Sequence, residues 1–175
     1  MRRRWLVAGG LVLAALVVLG LRIRAGTDHT AADSPLIGRQ APDFSLPLLG
    51  EPARRLGNRD LLGEPFVLEV WSSPCPACDA ALPVVAGLAN QGQVRVVRYI
   101  LGDPGDAALR LARDGNPYFA VVVDADGRAA RAWGIRRAPE AYLVDARGIV
   151  RWKHSRPLTA AVVAEDILPT LESAR

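Results

Sequence analysis

Cys75-Pro76-Ala77-Cys78 sets two thiols three positions apart, and the chain has no other cysteine. A thiol pair at that spacing can exchange two electrons with a substrate disulfide: one thiolate attacks, and the second displaces the product. An apolar run, 66–71, precedes the pair and predicts a buried strand. The segment 76–90 follows and predicts a helix. Cys-x-x-Cys at a strand-to-helix turn is a redox signature. Unpaired N–H groups and the positive dipole end at a helix start favour thiolate over thiol. Cys75 is expected to sit in that field, with Cys78 one turn further in.

Other uses of two thiols are weaker. A structural disulfide would close a loop of only four residues, which constrains the unfolded chain little. Zinc takes four ligands, and the sequence adds only His29, in a segment that reads as linker, and His154. Copper held by Cys75, Cys78 and His154 is the remaining metal alternative. Redox catalysis with no cofactor and no metal is the expectation.

Several elements must position the pair. Residues 41–47 alternate apolar and polar between prolines and suit a short edge strand. Residues 50–63 read as a loop with a helical turn near Asp60. Residues 94–100 predict a second strand, 104–114 a helix with Asp103 as N-cap and Gly115 closing it, and 119–123 a third strand. A short helix over 127–133, a hairpin over 141–154 and a helix over 159–171 complete the chain. Pro83 is expected to kink the first helix. The first half supplies β-α-β units and hence parallel strands, and the second an antiparallel pair. The expected fold is an α/β mixed sheet with helices on both faces.

The N-terminus predicts a membrane anchor. Arg2, Arg3 and Arg4 precede an apolar run over 5–21, and Arg22 and Arg24 follow it. That run is longer than a signal-peptide core of about 7–15 residues, though at the short end for a span. The arginine balance points to a cytoplasmic N-terminus, with the rest facing the periplasm, where disulfides persist. The expected organisation is an anchor over 1–24, a flexible linker over 25–35 and one domain over 36–175. The net charge of +4 belongs to the anchor: residues 25–175 hold 17 basic and 18 acidic residues, which excludes a basic nucleic-acid-binding domain.

Four stretches carry a family likeness. These are Gly38-Arg39-Gln40-Ala41-Pro42-Asp43-Phe44, the run from Val70 to Cys78, Gly115-Asn116-Pro117-Tyr118, and Gly134-Ile135-Arg136-Arg137-Ala138-Pro139-Glu140 with Ile149 to His154. In this order they resemble the TlpA/ResA/CcmG group of membrane-anchored thioredoxin-like proteins, and most closely its CcmG (DsbE) branch. The resemblance implies a thioredoxin-like fold behind one transmembrane helix of the bacterial inner membrane. It implies that Cys75 is the exposed attacking thiol, Cys78 the resolving thiol, and Pro139 a cis-proline lying against the disulfide. Pro74, Pro76, Ala138 and Glu140 would then border the substrate chain. It also implies the substrate, the haem-attachment cysteines of apocytochrome c or a maturation partner, and a DsbD- or CcdA-type membrane thiol transporter as electron donor. Alternatives with the same chemistry are a general extracytoplasmic disulfide reductase or oxidase and a TlpA-like copper-centre assembly factor. A peroxidase would need a proline where Leu68 stands, although Ser72 meets its other requirement.

Two positions depart from the group. Pro74 replaces the usual tryptophan before the first cysteine, and Ala81 replaces an acid found in several relatives. An acid stands instead at Glu69, which matches the buried carboxylate of thioredoxin itself. Flanked by Leu68 and Val70, it is expected to have a raised pKa and to accept the Cys78 proton; a solvated outward glutamate is the alternative. Glu140 either tunes the site or is a plain surface carboxylate. Asp79 reads as compensating the helix dipole, Trp71 and Trp133 as packing residues, and His154 as a surface strand residue.

Overall fold

The computed structural model describes residues 34–105 and 107–173. The expected anchor, most of the linker and His29 lie outside the described residues. Among the described residues no helix is long and apolar enough to cross a membrane.

The strands among the described residues form one seven-stranded sheet in the order β2-β1-β5-β4-β3-β6-β7. They are β1 (Ser45–Leu48), β2 (Glu51–Gly57), β3 (Phe66–Trp71), β4 (Arg95–Leu101), β5 (Ala120–Asp124), β6 (Glu140–Val144) and β7 (Val150–His154). β3 runs parallel to β4, and β4 parallel to β5, while β6 lies antiparallel to β3 and pairs with β7 as a hairpin. Every residue of β3 is buried, as expected for a central strand covered on both faces.

Helix α1 (Pro76–Asn90) opens on Cys75 as N-cap, with Pro76 at its first position, where a missing N–H costs nothing. It buries Cys78, Ala81, Val85 and Leu88, a stripe at three- and four-residue spacing. The helix passes through Pro83 unbroken. Helices α2 (Ala107–Asp114) and α3 (Arg128–Trp133) follow β4 and β5. The closing helix runs as α4 (Ala160–Val162), a π turn (Val163–Ile167) and α5 (Leu168–Ser173).

The side chains of the sheet alternate between two cores. Val67 and Trp71 of β3, with Val96 and Ile100 of β4, pack with α1 and the closing helix. Phe66, Leu68 and Val70 face the other way, with Tyr142, Trp133 and Phe44. Trp133 meets Tyr142 edge-on with ring centroids 5.2 Å apart.

Three expectations are corrected. The strand expected over 41–47 is β1, and it is not an edge: β2 lies on one side and β5 on the other. The edge is β2, in the segment read as loop; its Arg54, Arg55 and Glu51 are exposed. Charge on an edge strand blocks further pairing and also erases the apolar alternation that marks a strand. Third, His154 is not a surface residue. It is 5% exposed and stacked on Trp152 with ring centroids 5.5 Å apart. Burial pushes its pKa down, and the Asp166 charge works the other way.

Candidate active site

β3 ends at Trp71, and the chain turns through Ser72, Ser73 and Pro74 into Cys75. Cys75 and Cys78 form a disulfide with Cα atoms 5.3 Å apart. As N-cap, the Cys75 sulfur accepts the Cys78 N–H at 3.1 Å, while the Cys75 carbonyl accepts the N–H groups of Cys78 and Asp79. The sulfur that caps a helix is the one whose negative charge the helix start stabilises. Cys75 is 7% exposed and Cys78 0%, so Cys75 alone offers a surface to attack, smaller in the oxidised form than the resemblance implied. Pro74 and Pro76 flank it and are exposed.

The second wall comes from the loop before β6. Register pairs Glu140 with Val70, which brings this loop to the end of the sheet where β3 runs into the cysteines. The Ala138–Pro139 peptide is cis, and Ala138 packs against the core that holds Cys75 and Cys78. The Ser73–Pro74 peptide is also cis, which the sequence did not announce.

β3, the strand that leads to the disulfide, also holds a buried ion pair. Glu69 lies between Val67 and Trp71 on the strand and shares their face, the α1 side. It is 3% exposed, so the solvated reading is excluded. Its register partner on β4 is Arg98, whose Nε donates to Glu69 Oε2 at 2.9 Å. Arg98 is itself buried, with its guanidinium 4.2 Å from the centre of the Tyr118 ring and 5.8 Å from that of Trp71. Burial raises the Glu69 pKa, and the Arg98 charge and hydrogen bond oppose the rise without cancelling it. A cleft of about 440 Å³ opens beside this pair, lined by Cys78, Trp71, Arg98, Leu82 and Leu111. Cys78 and the Arg98 guanidinium thus border one cleft.

Other predicted residues divide by face. Asp79 is half-exposed and accepts from Arg110 Nη1 at 2.7 Å, which ties α1 to α2. Glu140 is buried at 5% exposure, so the surface reading fails. It accepts from the Tyr142 hydroxyl at 2.7 Å and pairs with Lys153 at 3.2 Å, on the sheet face opposite α1. Among the described residues no three His, Cys, Asp or Glu side chains group as metal ligands.

Comparison with known proteins agrees with this geometry. Residues 37–153 match the AhpC/TSA family. The chain is 42% identical over 166 residues to the thiol:disulfide interchange protein DsbE of Xylella fastidiosa strain 9a5c, covering 94% of this chain and 83% of that protein. The chain belongs to the DsbE proteins of the AhpC/TSA family. The DsbE of Escherichia coli strain K12 is 35% identical over 164 residues, covering 92% of this chain and 88% of that protein. A Chlorobium tepidum structure bearing the DsbE name superposes with a TM-score of 0.66 at 28% identity, covering 77% of this chain and 97% of that one. A DsbE-type Cys-x-x-Cys on a thioredoxin-like sheet makes the chain a protein-disulfide oxidoreductase. What the sequence did not yield is Arg98. Nothing in Val97-Arg98-Tyr99 marks an arginine that points inward; the signal was the unpaired acid at Glu69, which needed a cation on a neighbouring strand.

Proposed function

We propose that this chain is a membrane-tethered reductant of the periplasm that opens disulfides for cytochrome c biogenesis. Its substrate is the pair of haem-attachment cysteines of apocytochrome c, or a maturation partner that hands them on. The N-terminal segment anchors it in the inner membrane, and a DsbD- or CcdA-type thiol transporter returns it to the dithiol. The observation that carries the reading is the sulfur of Cys75, which caps α1 and is the more exposed of the two, together with the likeness to DsbE.

The Cys75 thiolate attacks one sulfur of the substrate disulfide, and the other leaves as a thiolate that takes up a proton. Cys78 then loses its proton and attacks Cys75, which breaks the mixed disulfide and releases the second substrate thiol. Two electrons pass to the substrate, and the protein ends as the Cys75–Cys78 disulfide. Glu69 supports the second step as acceptor of the Cys78 proton, because a buried carboxylate is a stronger base than a solvated one. Pro139 holds Ala138 so that its backbone borders the substrate chain, and Pro74 and Pro76 form the opposite rim. Glu140, held by Tyr142 and Lys153, fixes the start of β6 and with it that loop.

The test is capture. Full-length Cys78→Ser, expressed in its native membrane, should stall at the mixed disulfide. Mass spectrometry of what Cys75 holds should return apocytochrome c or a cytochrome-maturation protein. A broad set of unrelated exported proteins would instead make it a general oxidoreductase.

A further inference from the structure

Arg136 and Arg137 immediately precede Ala138 and the cis-Pro139 bond. Both are exposed, and neither has an ion-pair partner among the described residues. Residues 25–175 are close to neutral overall, so two adjacent free cations at this end of the sheet do not merely follow from a basic domain. The nearest acid does not compensate them. Glu140 is buried and taken up by Lys153 and the Tyr142 hydroxyl. Arg131 is likewise engaged, donating to the Asp126 carbonyl at 3.1 Å. The two arginines border a hollow of about 640 Å³ with Trp133, Gly134 and Lys153. Glu140, which also borders the hollow, is already engaged and leaves it no free carboxylate.

An extended chain advances about 3.3 Å per residue. A substrate whose cysteine meets Cys75 and whose backbone borders Ala138 therefore brings residues two or three positions away opposite Arg136 and Arg137. We propose that this arginine pair is a specificity subsite that reads acidic side chains flanking the redox cysteine of the partner polypeptide. The proposal rests on the oxidoreductase reading above and adds the charge of the partner to it. Exposed cations act mainly on encounter and register, so the preference appears in KM more than in kcat and weakens with salt.

The test follows single turnovers of the reduced full-length chain in detergent, itself the two-electron reductant, over a range of concentrations of one oxidised Cys-x-x-Cys peptide made with Glu, Gln or Lys at the flanking positions. The expected order of kcat/KM is Glu over Gln over Lys. Glu leads Gln by about tenfold at low salt, as two exposed charge contacts allow, and by less at high salt. Arg136→Gln/Arg137→Gln should reduce the Glu and Gln peptides equally, and Arg136→Glu/Arg137→Glu should prefer the Lys peptide. Equal rates for the three peptides with the native chain, or an unchanged order in the charge-reversed variant, would overturn the subsite and leave the oxidoreductase reading standing. Turnover of none of the three would overturn both.

Discussion

Arg98 Nε donates to Glu69 Oε2 at 2.9 Å between β4 and β3, and both side chains are buried. A buried carboxylate with one cationic partner is a base whose strength is set by two opposed terms, burial and the neighbouring charge. Here burial wins, so the carboxyl titrates above the ordinary glutamate range.

Glu69→Gln removes the base and keeps the shape. In the native protein, resolution of the mixed disulfide by Cys78 should quicken as pH rises through the raised Glu69 titration. The Gln variant should resolve more slowly, by about 10²–10³-fold if the carboxylate acts as general base, and should lack that limb of the profile. Quenched-flow measurement of mixed-disulfide decay across pH decides it; superimposable profiles would remove Glu69 from the mechanism.

Arg98→Met leaves the carboxyl with burial alone, so its folded pKa moves further above the unfolded value. A raised folded pKa means stability that is complete below the unfolded pKa and lost as pH rises through the folded one. The variant should therefore show a deficit that grows with pH, reaching about 3–5 kcal/mol once the unpaired carboxyl must ionise. Adding Glu69→Gln should recover much of it. Urea unfolding at acidic and neutral pH measures the difference, and a deficit independent of pH would contradict the pair's role.

Asp145 organises the β6–β7 turn. Burial opposes its charge, but the N–H groups of Ile149 and Arg147 and the side chain of Arg151 outweigh it, so its pKa is lowered. A lowered folded pKa gives stability that is present above the unfolded value and lost as pH falls through the folded one. Asp145→Asn should cost about 1–3 kcal/mol at neutral pH, with the gap to the native chain closing as pH falls. A gap of constant size from neutral to strongly acid pH would show that the charge is not what holds the turn.

Much of this was legible in the chain. Phe66–Trp71 and Pro76–Asn90 were readable to the residue, because a continuous apolar strand and a proline-opened helix meet at Cys75. Glu140 and Glu69 stand out in the sequence, yet their partners do not. Arg98 and Lys153 lie 29 and 13 positions away from their acids, and only strand pairing brings them together. β2 escaped because its charged exposed face carries no period. The burial of His154 is not legible, because alternation in β7 places it with Trp152 on the inner face, under the closing helix that a strand pattern cannot show.

The central claim is that Cys75 is the nucleophile because it caps α1. The most direct measurement is alkylation of the reduced full-length chain over a pH series, with peptide mapping of the label. The account predicts that Cys75 is labelled first, with an apparent pKa below the free-cysteine value of about 8.5, while Cys78 stays protected until the fold opens. Labelling of Cys78 first, or a Cys75 titration at or above the free value, would contradict it.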